Sequence, residues 1–82
     1  MTIDENAIKL FERIIKDHQA EHDEDQSMKK MYTEDRKILR KILSFYKSKK
    51  WKEAGNLARY ADTAVREMIP DSIWDVIVEA QN

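Results

Sequence analysis

Residues 18–22 read HQAEH. Two imidazoles one helical turn apart with a glutamate between them fit the H-x-x-E-H arrangement, in which the histidines hold zinc and the glutamate serves as general base. His18 and His22 are therefore the candidate metal ligands of the chain. A zinc protease also needs a third protein ligand and a substrate cleft, for which 82 residues leave little room. The sequence instead predicts two partly buried histidines near a helix C-terminus, favoured there by its carbonyls and by Glu21, Asp23, Glu24 and Asp25. No metal and no cofactor is expected. The same stretch has the outline of a calcium loop, with Asp23, Asp25, Ser27 and Glu34 at positions 1, 3, 5 and 12. Met28 stands where that loop needs glycine for its sharp turn, and Lys29 and Lys30 bring positive charge inside it. The acidic run reads as a solvated junction between helices.

Other catalytic arrangements are not apparent. The chain has no cysteine, one glycine, no glycine-rich phosphate loop and no E-x-x-H motif of the kind that builds a di-metal site in a helical bundle. The expectation is a non-enzyme. What remains is charge. Residues 1–25 carry 8 acids and 3 bases, residues 26–52 carry 2 acids and 10 bases, and residues 53–82 carry 6 acids and 2 bases. A net charge of −1 thus hides a basic middle between two acidic ends. At 100° per residue, Arg36, Lys37, Arg40, Lys41 and Lys47 fall on one side of a helix whose other side holds Ile38, Leu39, Ile42, Leu43, Phe45 and Tyr46. Lys49, Lys50 and Lys52 extend the positive field beyond it. These eight cations form the candidate binding surface, and a protein with an acidic surface is the partner their charge fits best. Nucleic acid is the alternative on the same face, with Tyr46 and Trp51 as candidate stacking residues. The two acidic ends oppose it, and no helix-turn-helix, zinc-finger or RNA-binding signature is present.

Four amphipathic segments must position these groups, and they define an all-α single domain, a small bundle of three to four helices with antiparallel hairpins. Their expected spans are about 3–20, 28–47, 51–68 and 72–80. Ser27 or Thr33 is the expected cap of the second, Pro70 the end of the third, and Asp71 or Ser72 the cap of the fourth. On the first helix, Glu5 with Lys9, Glu12 with Lys16 and Arg13 with Asp17 form i,i+4 pairs on an outer, self-neutralised face. Ala54, Ala58, Ala61 and Val65 make one side of the third helix narrow, which invites close approach by a neighbour and, with the apolar width of the second helix, suggests a homodimer. The opening MTIDENAIKLFERII is charged and amphipathic, and no apolar run reaches membrane-spanning length, so a cytoplasmic protein is expected.

Two local stretches resemble known families. FYKSKKWKEAGNLARYADTA resembles the inter-helix turn of tetratricopeptide hairpins, with Tyr46, Trp51 and Ala54 at comparable spacing. That family's turn glycine would fall on Lys49, and Pro70 comes about one helical turn later than the family's proline, so the resemblance implies an antiparallel helix pair and no more. The tail IPDSIWDVI is similar to the C-terminal IP-x-S-V-W stretch of the small haemolysin-expression-modulating proteins, which bind nucleoid proteins, and implies a regulatory partner. The functional expectation is a small helical regulator or adaptor, of the kind phages and mobile elements encode to occupy a host protein. A homo-oligomeric structural module is a further alternative.

Overall fold

Asp4 starts the first helix. Its Oδ1 accepts the backbone N–H groups of Asn6 (2.9 Å) and Ala7 (3.2 Å), satisfying donors that have no partner inside a helix. The computed structural model describes residues 3–22 and 27–81, and among them the chain forms five α-helices: α1 Glu5–His22, α2 Lys29–Lys47, α3 Trp51–Arg59, α4 Thr63–Glu67 and α5 Asp71–Gln81. The all-α class is thus as the periodicity requires.

Helix α2 is central. It packs against α1 on one side and α3 and α4 on the other, while α5 lies against α3. Phe11, Leu39, Ile42, Tyr46, Ala54, Ala58, Val65 and Ile73 are wholly shielded from solvent and join all five helices into one core. α1 and α2 run antiparallel, since Glu12 meets Lys47 near one end and His18 meets Arg36 near the other. The Tyr46 hydroxyl accepts the Asp4 N–H at 3.0 Å and fastens the start of α1 to the end of α2.

Three local expectations need correction. α2 begins at Lys29 with Met28 in the cap position and no side-chain cap, so neither Ser27 nor Thr33 caps it. The helix starts a turn earlier than Thr33 because Tyr32 is already helical, its N–H bonded to the Met28 carbonyl and its ring packed on α1. The segment 51–68 is two helices. Asp62 takes an extended ψ of 154° at the start of α4, the conformation an Asp-Thr pair favours at a helix start and resists in a helix interior. The break lets α4 fold over α2 and bury Val65 completely. Finally, α5 begins directly after Pro70, whose carbonyl accepts from Ile73 (3.0 Å) and Trp74 (2.9 Å). Asp71 and Ser72 therefore lie in the first turn, and the Asp71 carboxylate favours the N-terminal dipole without capping it.

The Ala seam is used inside the molecule. Ala54, Gly55 and Ala58 are buried where α3 meets α2 and α5, so it offers no surface to a second copy. The homodimer expectation then rests on the apolar width of α2 alone.

The α2–α3 turn carries the only positive φ among the described non-glycine residues, 59° at Lys49. Lys49 N–H bonds to the Tyr46 carbonyl (3.1 Å) and Lys50 N–H to that of Phe45 (2.8 Å), the paired bonds of a Schellman cap. A residue with a Cβ is strained in that conformation by about 1–2 kcal/mol. Lys49→Gly is expected to stabilise the fold by about 0.5–1 kcal/mol, the relief being partly offset by glycine's greater freedom in the unfolded chain. Urea denaturation checks this; a destabilised variant would show that the lysine side chain contributes more than its backbone costs.

Candidate binding surface

Seven of the eight candidate cations divide among three environments. Lys37 and Lys41 lie on the outer side of α2, both exposed, with Lys37 at 3.8 Å from Glu34. Arg40 and Lys47 line the rim that faces α1. Lys47 Nζ lies 3.0 Å from Glu12 Oε1, and Arg40 Nη2 donates to Gln19 Oε1 at 3.3 Å. Lys49, Lys50 and Lys52 are exposed around the α2–α3 junction. Seven of the eight expected surface cations are therefore solvent-facing, and Lys41, Lys49 and Lys50 have no ion-pair partner among the described residues. A surface of this kind can hold carboxylates by charge and by hydrogen-bond donation.

Arg36 is the exception. It is only 7% exposed, and its neighbour Asp35 only 8%. On the helical wheel Arg36 points about 20° from Leu43, which is buried against α1, whereas Lys37 and Lys41 point away. Arg36 therefore leaves the exposed basic side and joins the α1–α2 interface. There its Nη1 lies 3.1 Å from His18 Nδ1. A guanidinium can only donate, so Nδ1 must be the accepting nitrogen and His18 must be neutral, with its proton on Nε2.

His18, His22 and Tyr32 pack as an aromatic group across the two helices. The His22 and Tyr32 rings stack with centroids 4.2 Å apart, His18 meets Tyr32 edge-on at 5.1 Å, and the two imidazoles lie 4.6 Å apart. Burial, then the neighbouring His22 and Arg36, hold the His18 pKa below its ordinary 6.5, against the opposing pull of Asp35 and Glu21. Burial, then nearby Asp62, raise Asp35 above its ordinary 3.8, with His18 and Arg36 opposing. The expected partly buried histidines are found, with Glu21 acting on His18 in the expected direction and burial, His22 and Arg36 against it, while Asp23, Glu24 and Asp25 lie outside the described residues. The Arg36 guanidinium is a close charged neighbour of His18 and takes one of its two ring nitrogens, Nδ1. No group of three metal-ligating side chains capable of holding an ion occurs among the described residues. The would-be calcium loop lies partly outside them: Asp23 and Asp25, like Glu24, are not described, while Glu34 sits within α2 beside Lys37.

On α1, Arg13 pairs with Asp17 at 3.9 Å as the spacing predicts. Glu12 instead crosses to Lys47, so the outer face of α1 is not wholly self-neutralised. Periodicity could not show this, because the pair depends on how the two helices dock. The candidate base-stacking residues are also placed. Tyr46 is wholly buried, and Trp51 packs against the core with its Nε1 buried and unbonded. Tyr46 therefore presents no ring beside the lysines, and Trp51 only part of one.

No described helix is long and apolar enough to cross a membrane. Comparison with protein-family models, with curated proteins and with solved structures gives no match.

Proposed function

We propose that this chain is a small non-enzymatic helical regulator or adaptor, acting in the cytoplasm, that binds an acidic protein surface through the exposed cations of α2 and the α2–α3 turn. The observation that carries this reading is that Arg40, Lys41, Lys47, Lys49 and Lys50 stay exposed on one central helix and its turn. A single inter-helix ion pair, Lys47 with Glu12, offsets them among the described residues. If the charges served only to hold the acidic helices together, they would be buried or paired, as Arg36 is drawn inward. A nucleic-acid reading is less favoured because the acidic runs at either end of the sequence would repel phosphate, and because Tyr46 is wholly buried and Trp51 partly packed against the core.

The test is the triple variant Arg40→Glu, Lys41→Glu, Lys47→Glu, which omits Arg36 because that residue supports the fold. It should keep its helical circular dichroism and a cooperative melt. In affinity capture from source-cell extract with mass spectrometry, the wild type should retain an acidic protein that the variant loses by at least about tenfold, through like-charge repulsion. Arg13→Ala, on the outer side of α1, should bind as the wild type does. A folded triple variant that keeps its partner would end this reading, as would recovery of nucleic acid alone.

A further inference from the structure

Between α1 and α2 runs an open groove of about 470 Å³. Its floor is Ile15 and Leu43, and its two ends are bridged by Glu12 with Lys47 and by Gln19 with Arg40. The bridges are seven residues apart on both helices, a rise of about 10.5 Å on each. Lys16, exposed on the α1 wall between them, adds a third cation. The groove walls thus hold three cations and one carboxylate.

We propose that this groove docks one acidic amphipathic helix of the partner, whose carboxylates seven residues apart take Lys47 and Arg40 away from Glu12 and Gln19. The inference rests on the acidic-partner reading above and gives it a geometry. A helix laid along the groove repeats the same face every seven residues with the same rise as the two walls. An extended chain covers that distance in about three residues, which turns alternate side chains to opposite faces, so it cannot present two carboxylates in the same register. The internal acceptors are suited to being displaced. Lys47 and Glu12 are half-exposed, and exposed pairs of this kind are held weakly. Arg40 has only a neutral amide oxygen at 3.3 Å, for which a carboxylate is a stronger, charge-assisted replacement. Glu12 and Gln19 then act as placeholders that keep the cations oriented until a partner arrives.

The probe is a fluorescein-labelled, alanine- and leucine-based helical peptide of about 18 residues with glutamates at i, i+3 and i+7. A second peptide of the same composition spreads those glutamates around the helix at i, i+5 and i+10. Both are titrated by anisotropy into the full chain, with peptide helicity checked by circular dichroism. The one-face peptide is expected to bind at least about tenfold more tightly than the spread one. Arg40→Glu and Lys47→Glu should each remove that preference. Glu12→Gln should tighten binding several-fold, a gain that mere structural damage would not produce. If both peptides bind equally and charge reversal abolishes both, the groove geometry fails while the basic surface stands. If reversal changes neither, the surface reading fails as well. Unchanged or weaker binding by Glu12→Gln overturns the placeholder role, and displacement of the peptide by a tighter-binding single-stranded oligonucleotide overturns the protein partner.

Discussion

Arg36→Glu is expected to destabilise the protein by about 3 kcal/mol or more, a large share of the roughly 4–12 kcal/mol that holds a chain of this size folded. The substitution removes the donor to His18 and sets a new carboxylate beside buried Asp35, which already feels Asp62. Like charges so placed are poorly solvated and poorly screened. Arg36→Met separates charge from packing. An apolar side chain of similar length keeps most of the buried stem, so its cost should be much smaller. The same site sets an acid limit. Because the folded state holds His18 neutral and lowers its pKa, folding binds fewer protons than unfolding across that range. The stability contributed is complete above about pH 6.5 and is lost as pH falls through the lower folded value. Asp35 works in the opposite sense. The cost of its buried charge is relieved only as pH falls through its raised folded value toward 3.8. Thermal midpoints should therefore decline below pH 6.5 in the wild type and stay flatter in His18→Gln, whose amide oxygen can accept from Arg36 without titrating. A tolerated Arg36→Glu, or identical pH profiles for the wild type and His18→Gln, would remove this account.

Tyr46→Ala is expected to cost about 3–5 kcal/mol, in the range for truncating a large aromatic core residue. The side chain is wholly buried at the meeting of α1, α2 and α3, and its hydroxyl accepts the Asp4 N–H at the start of α1. Tyr46→Phe keeps the ring and deletes only that acceptor, so it should cost about 1 kcal/mol. Urea midpoints with unchanged slopes would read both values. A cost below about 1 kcal/mol for the alanine variant would mean that the core closes over the gap or does not depend on it.

Helix positions were legible in the sequence because periodicity reports burial directly. Phe11, Ile15, Leu39, Ile42, Ile73 and Ile77 all turn inward as their spacing requires. What escaped was set by docking. Leu10 shares the stripe of α1 yet remains 49% exposed, because α1 has one close neighbour and its apolar arc is wider than that contact. Arg36 lies at the edge of the basic arc, about 20° from Leu43, and which way such a boundary residue turns depends on how α1 docks. The break at Asp62 was marked by residues that favour helix starts, but an uninterrupted apolar stripe masked it. Of the candidate surface, Lys37, Arg40, Lys41, Lys47, Lys49, Lys50 and Lys52 are exposed as the pattern indicates. The groove was invisible, since its two walls come from separate helices whose register no single helix encodes.

The order in which the helices lie together has a kinetic consequence. α1 rests on α2, α2 on α3, and α3 on α5, so most neighbours in space are also neighbours along the chain. Closing such contacts spends little loop entropy, and helical chains of low contact order cross their folding barrier in microseconds to milliseconds. The same arrangement leaves α1, like α5, held chiefly by one other helix, so that α1 can detach by a partial opening. Its amides should exchange with solvent deuterium through partial openings, while those in the middle of α2 wait for the whole molecule to unfold.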